Sequence, residues 1–196
     1  MKVFPAACVL LLTISTSVFA AEAKTTVAFV EFQNKAGTII TTNRWTMAED
    51  LAKAVKKKRK NIEIVPRKEI LKQITDELNW NDERLDEAQE AKLITLGANH
   101  AVYASIVHWR VHGEFTNTEV QDASEANVVF LINVVDLASG NIVKSFTAQG
   151  AATGETGFIH EGDPASFIDE TQAEDQMYEA TEVAIDKAAD ILAELF

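Results

Sequence analysis

The chain has 196 residues, 47% of them hydrophobic, and carries 30 acidic against 18 basic side chains, a formal net charge of −12. That balance argues against a nucleic-acid partner and against broad adsorption to an anionic membrane. The single cysteine, Cys8, lies in an N-terminal apolar run whose removal would leave no disulfide, thiolate metal site or cysteine nucleophile.

Residues 1–20 have the layout of a secretory signal peptide. Lys2 supplies the positive start, Val9 to Ile14 the apolar core, and Val18-Phe19-Ala20 the approach to the cleavage position. The run is shorter than the ~20 apolar residues a span needs, and Ser15, Thr16 and Ser17 interrupt it, so no membrane insertion is expected. Cys8 is also away from the junction Phe19-Ala20-Ala21, so a lipid anchor is not expected and the exported product should be soluble. Cleavage leaves one domain, residues 21–196, with a charge of −13 once Lys2 is gone. No Pro- or Gly-rich linker divides it.

Within that domain, Thr26 to Phe32 is a β-branched and aromatic run, continuous enough for a strand buried on both faces. Gln33 to Asn43 is a connection. Ala48, Leu51, Ala52 and Val55 then recur at helical spacing, with Thr46 and Glu49 spaced as a capping box, or with Trp45 marking an earlier start. Asn61 to Val65 reads as a second strand ending at Pro66, and Ile70, Leu71, Ile74 and Leu78 as a second helix. Asn81 or Asp82 is the expected cap of a third, with Leu85, Ala88, Lys92 and Leu96 in register and Gly97 as a left-handed terminator.

His100 to His112 reads as a long strand, with Tyr103, Val107, Trp109 and Val111 on one face and Val102, Ala104 and Ile106 on the other. Gly113 to Ala126 is expected to be a polar loop, and Asn127 to Val135 a central strand apolar on both faces. Asp136 to Asn141 carries turn residues and joins it to a strand from Ile142 to Ala148. Gly150 to Asp169 is expected to be a Gly-rich connection. The last helix spans Glu170 to Leu195, with Met177, Thr181, Ala184, Ala188, Ile191 and Leu195 on its buried side. The order β-α-β-α-α-β-β-β-α predicts an α/β fold, a mixed sheet with flanking helices.

Lys53, Lys56, Lys57, Lys58, Arg59 and Lys60 concentrate positive charge in an acidic protein. They are either a patch for an anionic partner or a solvated last turn whose cations complement the helix dipole. The opposite pole is the final helix, from Glu170 through Asp186 and Asp190 to Glu194, which is solvated or pairs with the basic edge of another subunit. His108, Arg110 and His112 share one strand face, either solvent-facing or partner-facing. The two histidines lie roughly 13 Å apart in a straight strand, too far to chelate one metal ion. His160-Glu161-Gly162-Asp163 has cation-binding residue types without further ligands at suitable spacing. Gly150, Gly154 and Gly157 lack the Gly-Lys-Ser/Thr of a phosphate loop, and no elbow serine, His-Glu-x-x-His helix or paired acid motif stands out. No catalytic residue, cofactor or metal site is therefore assigned.

Three segments resemble a known family. Val27-Ala28-Phe29-Val30-Glu31-Phe32-Gln33-Asn34-Lys35 is similar to its opening "VAVLPFxN" strand, and Leu96 to Val107 to its "LGAdyvvxGsV" helix-to-strand junction. Val134 to Val143 resembles its return hairpin, "vrlvDxxTGeiv". The family is the curli-secretion channel type, CsgG, with relatives among LpoB-type activators of penicillin-binding proteins and the N-terminal domain of TolB. The resemblance implies a single CsgG/TolB-N-like domain and a non-enzymatic periplasmic assembly factor that binds an envelope protein or itself. Two departures count against a pore: no lipobox cysteine stands at the junction, and the loop from Gly113 to Ala126 is too short for a membrane hairpin. The alternative is a periplasmic small-ligand or cation-binding protein that uses Gly150 to Asp163. A hydrolase has the least support.

Overall fold

The computed structural model describes residues 24–40, 42–74, 77–113, 123–155 and 170–196. The expected leader, most of the loop after Gly113 and the His160–Asp163 stretch lie outside the described residues.

The sequence order begins with β1 (Thr26–Phe29), β2 (Gln33–Asn34), α1 (Arg44–Lys58) and β3 (Glu63–Ile64). Next come α2 (Arg67–Gln73), a small hairpin of β4 (Trp80–Asn81) and β5 (Arg84–Leu85), and α3 (Glu87–Thr95). Three long strands, β6 (His100–Gly113), β7 (Ala123–Asp136) and β8 (Asn141–Glu155), lead to α4 (Glu170–Leu195). The main sheet has the order β3-β1-β6-β7-β8, with β2 pairing β6 beyond the end of β1. The β3, β1 and β6 strands run parallel, whereas β6, β7 and β8 form an antiparallel meander. The predicted α/β fold is therefore present as one domain, a mixed sheet with flanking helices.

Both faces of the sheet are covered at its base, so β1 reads as a continuous apolar run. On one face Val27, Phe29, Val102, Ile106 and Phe130 pack with α1 and α4. On the other, Ala28, Val30, Ala101, Tyr103 and Val135 pack with Ile70 of α2 and Leu93 of α3. The three segments that carry the family resemblance meet at this base. Thr26 N donates to Asn99 Oδ1 at 3.0 Å, Asn99 N donates to Thr26 O at 2.9 Å, and Leu137 N donates to Asn99 O at 3.0 Å.

Several sequence expectations need correction. The α1 cap is Asn43, whose Oδ1 accepts from Trp45 N and Thr46 N, so the earlier start holds and the Thr46–Glu49 box does not form. The α3 cap is Asp86, accepting from Gln89 N at 2.8 Å; Asn81 is in β4 and Asp82 turns its hairpin at φ 62°. Leu78 lies past the end of α2, and Leu71 is exposed. Ala123 to Ala126 belongs to β7 and Gly150 to Glu155 to β8, because each strand's ladder extends through residues whose composition resembles a loop. On α4, Leu192 continues the buried stripe in place of Ile191 and Leu195.

The most consequential correction concerns β6. Ile106 pairs with Phe130 and His108 with Val129, so Val107 is an extra residue in a β-bulge. Alternation slips by one there. Trp109 and Val111 consequently join Val102, Ala104 and Ile106 on the α1/α4 face rather than Tyr103 on the other.

Candidate functional site

The helical periodicity of α1 divides the basic run between two sides. Lys53, Lys56 and Lys57 are spaced i, i+3 and i+4, so they share a side. Lys58 is one residue further round and faces α4, where its Nζ bonds Asp186 at 2.7 Å and Asp190 at 2.6 Å. Hydrogen bonds to these two carboxylates hold the Lys58 ammonium above its ordinary pKa. Arg59 Nη2 donates to Phe196 O at 3.2 Å. The acidic side of α4 thus meets the basic run within one chain. Lys56 Nζ donates to Lys60 O at 2.9 Å and also to Ile62 O, tying down the turn that leads into β3. Lys60 itself is exposed.

Lys53, Lys56 and Lys57 stand over a cleft of about 710 Å³ between α1, β3 and the start of α2. Its floor is apolar, made by Phe29, Ala48, Ala52, Ile64 and Val65. Arg67 and Lys68 complete the rim opposite the three lysines, and Glu49 is the one acid lining it. Arg67 lies over the Trp45 ring, 5.5 Å from its centroid, with Nη1 3.5 Å from Glu49 Oε1. Its Nε is buried without a hydrogen-bond partner. Next to it, Glu31 pairs with Arg44 at 3.0 Å, and burial raises its pKa against the pull of Arg44 and Arg67. Sequence reading identified the lysines but not Trp45, Arg67 and Lys68. The available signal was Pro66-Arg67-Lys68, two cations placed directly after the strand that the basic helix leads into.

The sheet edge at β3 is short, and little of its main chain is open to a further strand. Glu63 N and Val65 N donate inward to Thr25 O and Val27 O, Ile62 O accepts from Lys56, and Pro66 has no N–H.

The opposite edge, β8, is different. Ala148, Gly150 and Ala152 are buried, on the α4 face, while Ser145, Thr147, Gln149, Ala151 and Thr153 alternate with them and are exposed. Lys187 Nζ donates to Gln149 O at 2.9 Å, which marks the outer side of the strand. Period two places the main-chain groups of Ser145, Thr147, Ala151 and Thr153 on that side too, and no described strand pairs with it. His108 and Arg110 are exposed on the sheet face opposite α1 and α4, a consequence of the bulge. His112 pairs with Glu125 in the ladder, but its side chain lies outside the described residues. The basic cleft and the His108–Arg110 strand end therefore lie on different faces and form two surfaces.

Among the described residues no three His, Cys, Asp or Glu side chains gather to hold a metal ion, and no helix is long and apolar enough to cross a membrane. Gly150 to Glu155 belong to β8, and residues 156–163 of the Gly150–Asp163 segment expected to bind a ligand lie outside the described residues.

No protein-family model matches the chain, and no curated protein matches it. It is similar to several solved structures at low identity. The lipoprotein GNA1162 from Neisseria meningitidis is 15% identical, with 70% of this chain and 88% of that one covered and a TM-score of 0.49. The hypothetical protein CT253 from Chlamydia trachomatis is 12% identical, covering 88% and 96%, with a TM-score of 0.48. The LpoB C-terminal domain from Escherichia coli is 13% identical, covering 66% and 84%, with a TM-score of 0.46.

Proposed function

We propose that this chain is a non-enzymatic, soluble periplasmic binding and assembly factor of the bacterial envelope, of the CsgG type, that captures an envelope protein or a second copy of itself by strand addition at β8. The open outer side of β8 is the observation that carries the reading. The strand is 15 residues long, contains no proline, and has only Lys144 and Glu155 as charged residues. Such an edge is a template for another strand unless something blocks it. Ile142 and Val143, 50% and 47% exposed, add apolar contact at one end of it. The three segments resembling the CsgG type support the envelope setting, and the secretory layout of residues 1–20 supports export.

The test is a photocrosslinking residue at Thr147 in living cells, with mass spectrometry of the adduct. One dominant envelope protein, or the chain itself, is expected. Ala151→Pro should abolish capture at Thr147 and leave the fold intact, because the N–H it removes also faces outward. Capture that survives this substitution, or a clean monomer with no adduct, would refute strand addition.

A further inference from the structure

The cleft between α1, β3 and α2 is on the far edge of the sheet from β8 and is built for a different kind of ligand. We propose that it binds a single-chain anionic amphiphile, an aliphatic body ending in a carboxylate or phosphate group. Three observations converge on this class.

The first is the lining. A floor of Phe29, Ala48, Ala52, Ile64 and Val65 offers contact to a hydrocarbon and no polar side chain. At about 710 Å³ the cleft is in the range of small-molecule sites, roughly 300–1,000 Å³.

The second is the charge. Five cations, Lys53, Lys56, Lys57, Arg67 and Lys68, line the cleft with one carboxylate, Glu49, in a protein whose net charge is −12; of the five, Lys53 is also paired with Asp50 at 2.8 Å. Among the described residues the Lys57 and Lys68 side chains make no hydrogen bond or ion pair, and the Arg67 Nε is buried without an acceptor. Cations held at the mouth of a low-dielectric cleft attract an anionic head more strongly than the same charges spread over water.

The third separates an amphiphile from a peptide. A peptide backbone needs a partner for each amide, supplied by a sheet edge or by solvent. The main chain along this cleft offers little. Ile62 O is taken by Lys56, Pro66 has no N–H, and Pro66 O already accepts from Glu69 N and Ile70 N, which leaves the outward main chain of Ile64, one residue and too short a run to pair a peptide strand. What remains is apolar surface and side-chain cations, which match a chain of methylenes with one charged end.

The probe is a dansyl-labelled undecanoic acid titrated into the purified protein. A saturable, blue-shifted emission of one-to-one stoichiometry is expected. Laurate should displace the probe, whereas methyl laurate, inorganic phosphate and hexaglutamate should not. Lys57→Glu/Lys68→Glu should weaken binding by roughly tenfold and flatten its salt dependence, since both positions act through charge. Far-UV circular dichroism confirms that this variant is folded. Ile64→Trp, which fills the floor, should remove the emission shift without altering the charge. No saturable emission, equal displacement by the methyl ester, or displacement by hexaglutamate would each overturn the proposal, the last in favour of an acidic peptide. Unchanged affinity in the lysine variant would overturn the location. Capture at Thr147 is read out separately, so neither result decides the other.

Discussion

Gly150→Ala should be among the most damaging single-atom additions to this fold. Gly150 lies in β8 under α4, and a Cβ built there would stand 2.7 Å from Ala184 N and 2.9 Å from Ala180 C, closer still to Ala180 O. Real Cβ atoms essentially never come within 3.0 Å of such neighbours. All three atoms are helix backbone, so no rotamer change relieves the clash and α4 must lift off the sheet. The loss then spreads along its small-residue stripe, because Ala180, Ala184 and Ala188 are completely buried by this approach. Overpacking costs about 1–3 kcal/mol, and a rigid neighbour places this site at the upper end. With a urea m-value of about 1–3 kcal/mol/M, the midpoint should fall by roughly 1–3 M. Gly154→Ala should cost less, since the three nearest atoms its Cβ would meet are all in the Gln176 side chain and not in helix backbone. A loss below about 0.5 kcal/mol for Gly150→Ala, or equal losses for both, would refute the claim that helix-to-strand distance fixes this residue.

Tyr103→Phe should cost about 1.5–3 kcal/mol in the same assay, because the buried Tyr103 hydroxyl donates to Glu90 Oε1 at 2.8 Å. Burial and the Glu90 charge push the phenol pKa well above its ordinary value, so it remains a donor across the working range. Arg84→Ala should cost more, since Arg84 is the cation paired with the nearly buried Glu90 and its Nη1 also holds Gly140 O at 2.7 Å. Equal losses would contradict this ranking. His100 is half-buried against Phe196, with ring centroids 5.4 Å apart, and burial lowers its pKa against the opposing pull of Asp136. A depressed folded-state pKa means that protonation favours the unfolded chain. Its contribution is therefore fully present above about pH 6.5 and lost as pH falls through the folded value. The melting temperature of wild type minus that of His100→Gln, followed from pH 7.5 to 5, should decline; a constant difference would exclude the mechanism.

What the sequence disclosed follows the strength of its periodic signal. Ala48, Leu51, Ala52 and Val55 repeat cleanly and all are buried, and Gly97, at φ 85°, ends α3 as its position suggests. The β4–β5 hairpin has only two residues in each strand, too few to show a period, so in the sequence its Asp82 turn looks like a helix cap. Gly150 to Glu155 looks like a loop because glycine is permissive, yet its pairing with β7 and its closeness to α4 make it a strand. The Lys53–Lys60 cluster was visible as charge. Its division was not, because the 100° between Lys57 and Lys58 becomes decisive only when α4 is in place beside one of them.

The bulge at Val107 shows how a single inserted residue allots surfaces. Without it, strict alternation would turn Trp109 and Val111 outward and bury His108 and Arg110 against the α1/α4 core, where two polar side chains would need partners. With it, the indole and valine extend the core, and the polar residues face away from the helices. The two sheet edges are allotted as distinctly. At β3, two residues of strand, the Lys56 bond to Ile62 O and Pro66 leave little main chain to pair with, so recognition there must work through charge and apolar contact. At β8, fifteen residues of strand carry the Lys187 bond to Gln149 O on the outer side, so the proposed recognition there would work through the main chain. With one edge short and charge-lined and the longer one open, the two proposed ligands would occupy opposite edges of the sheet and not compete.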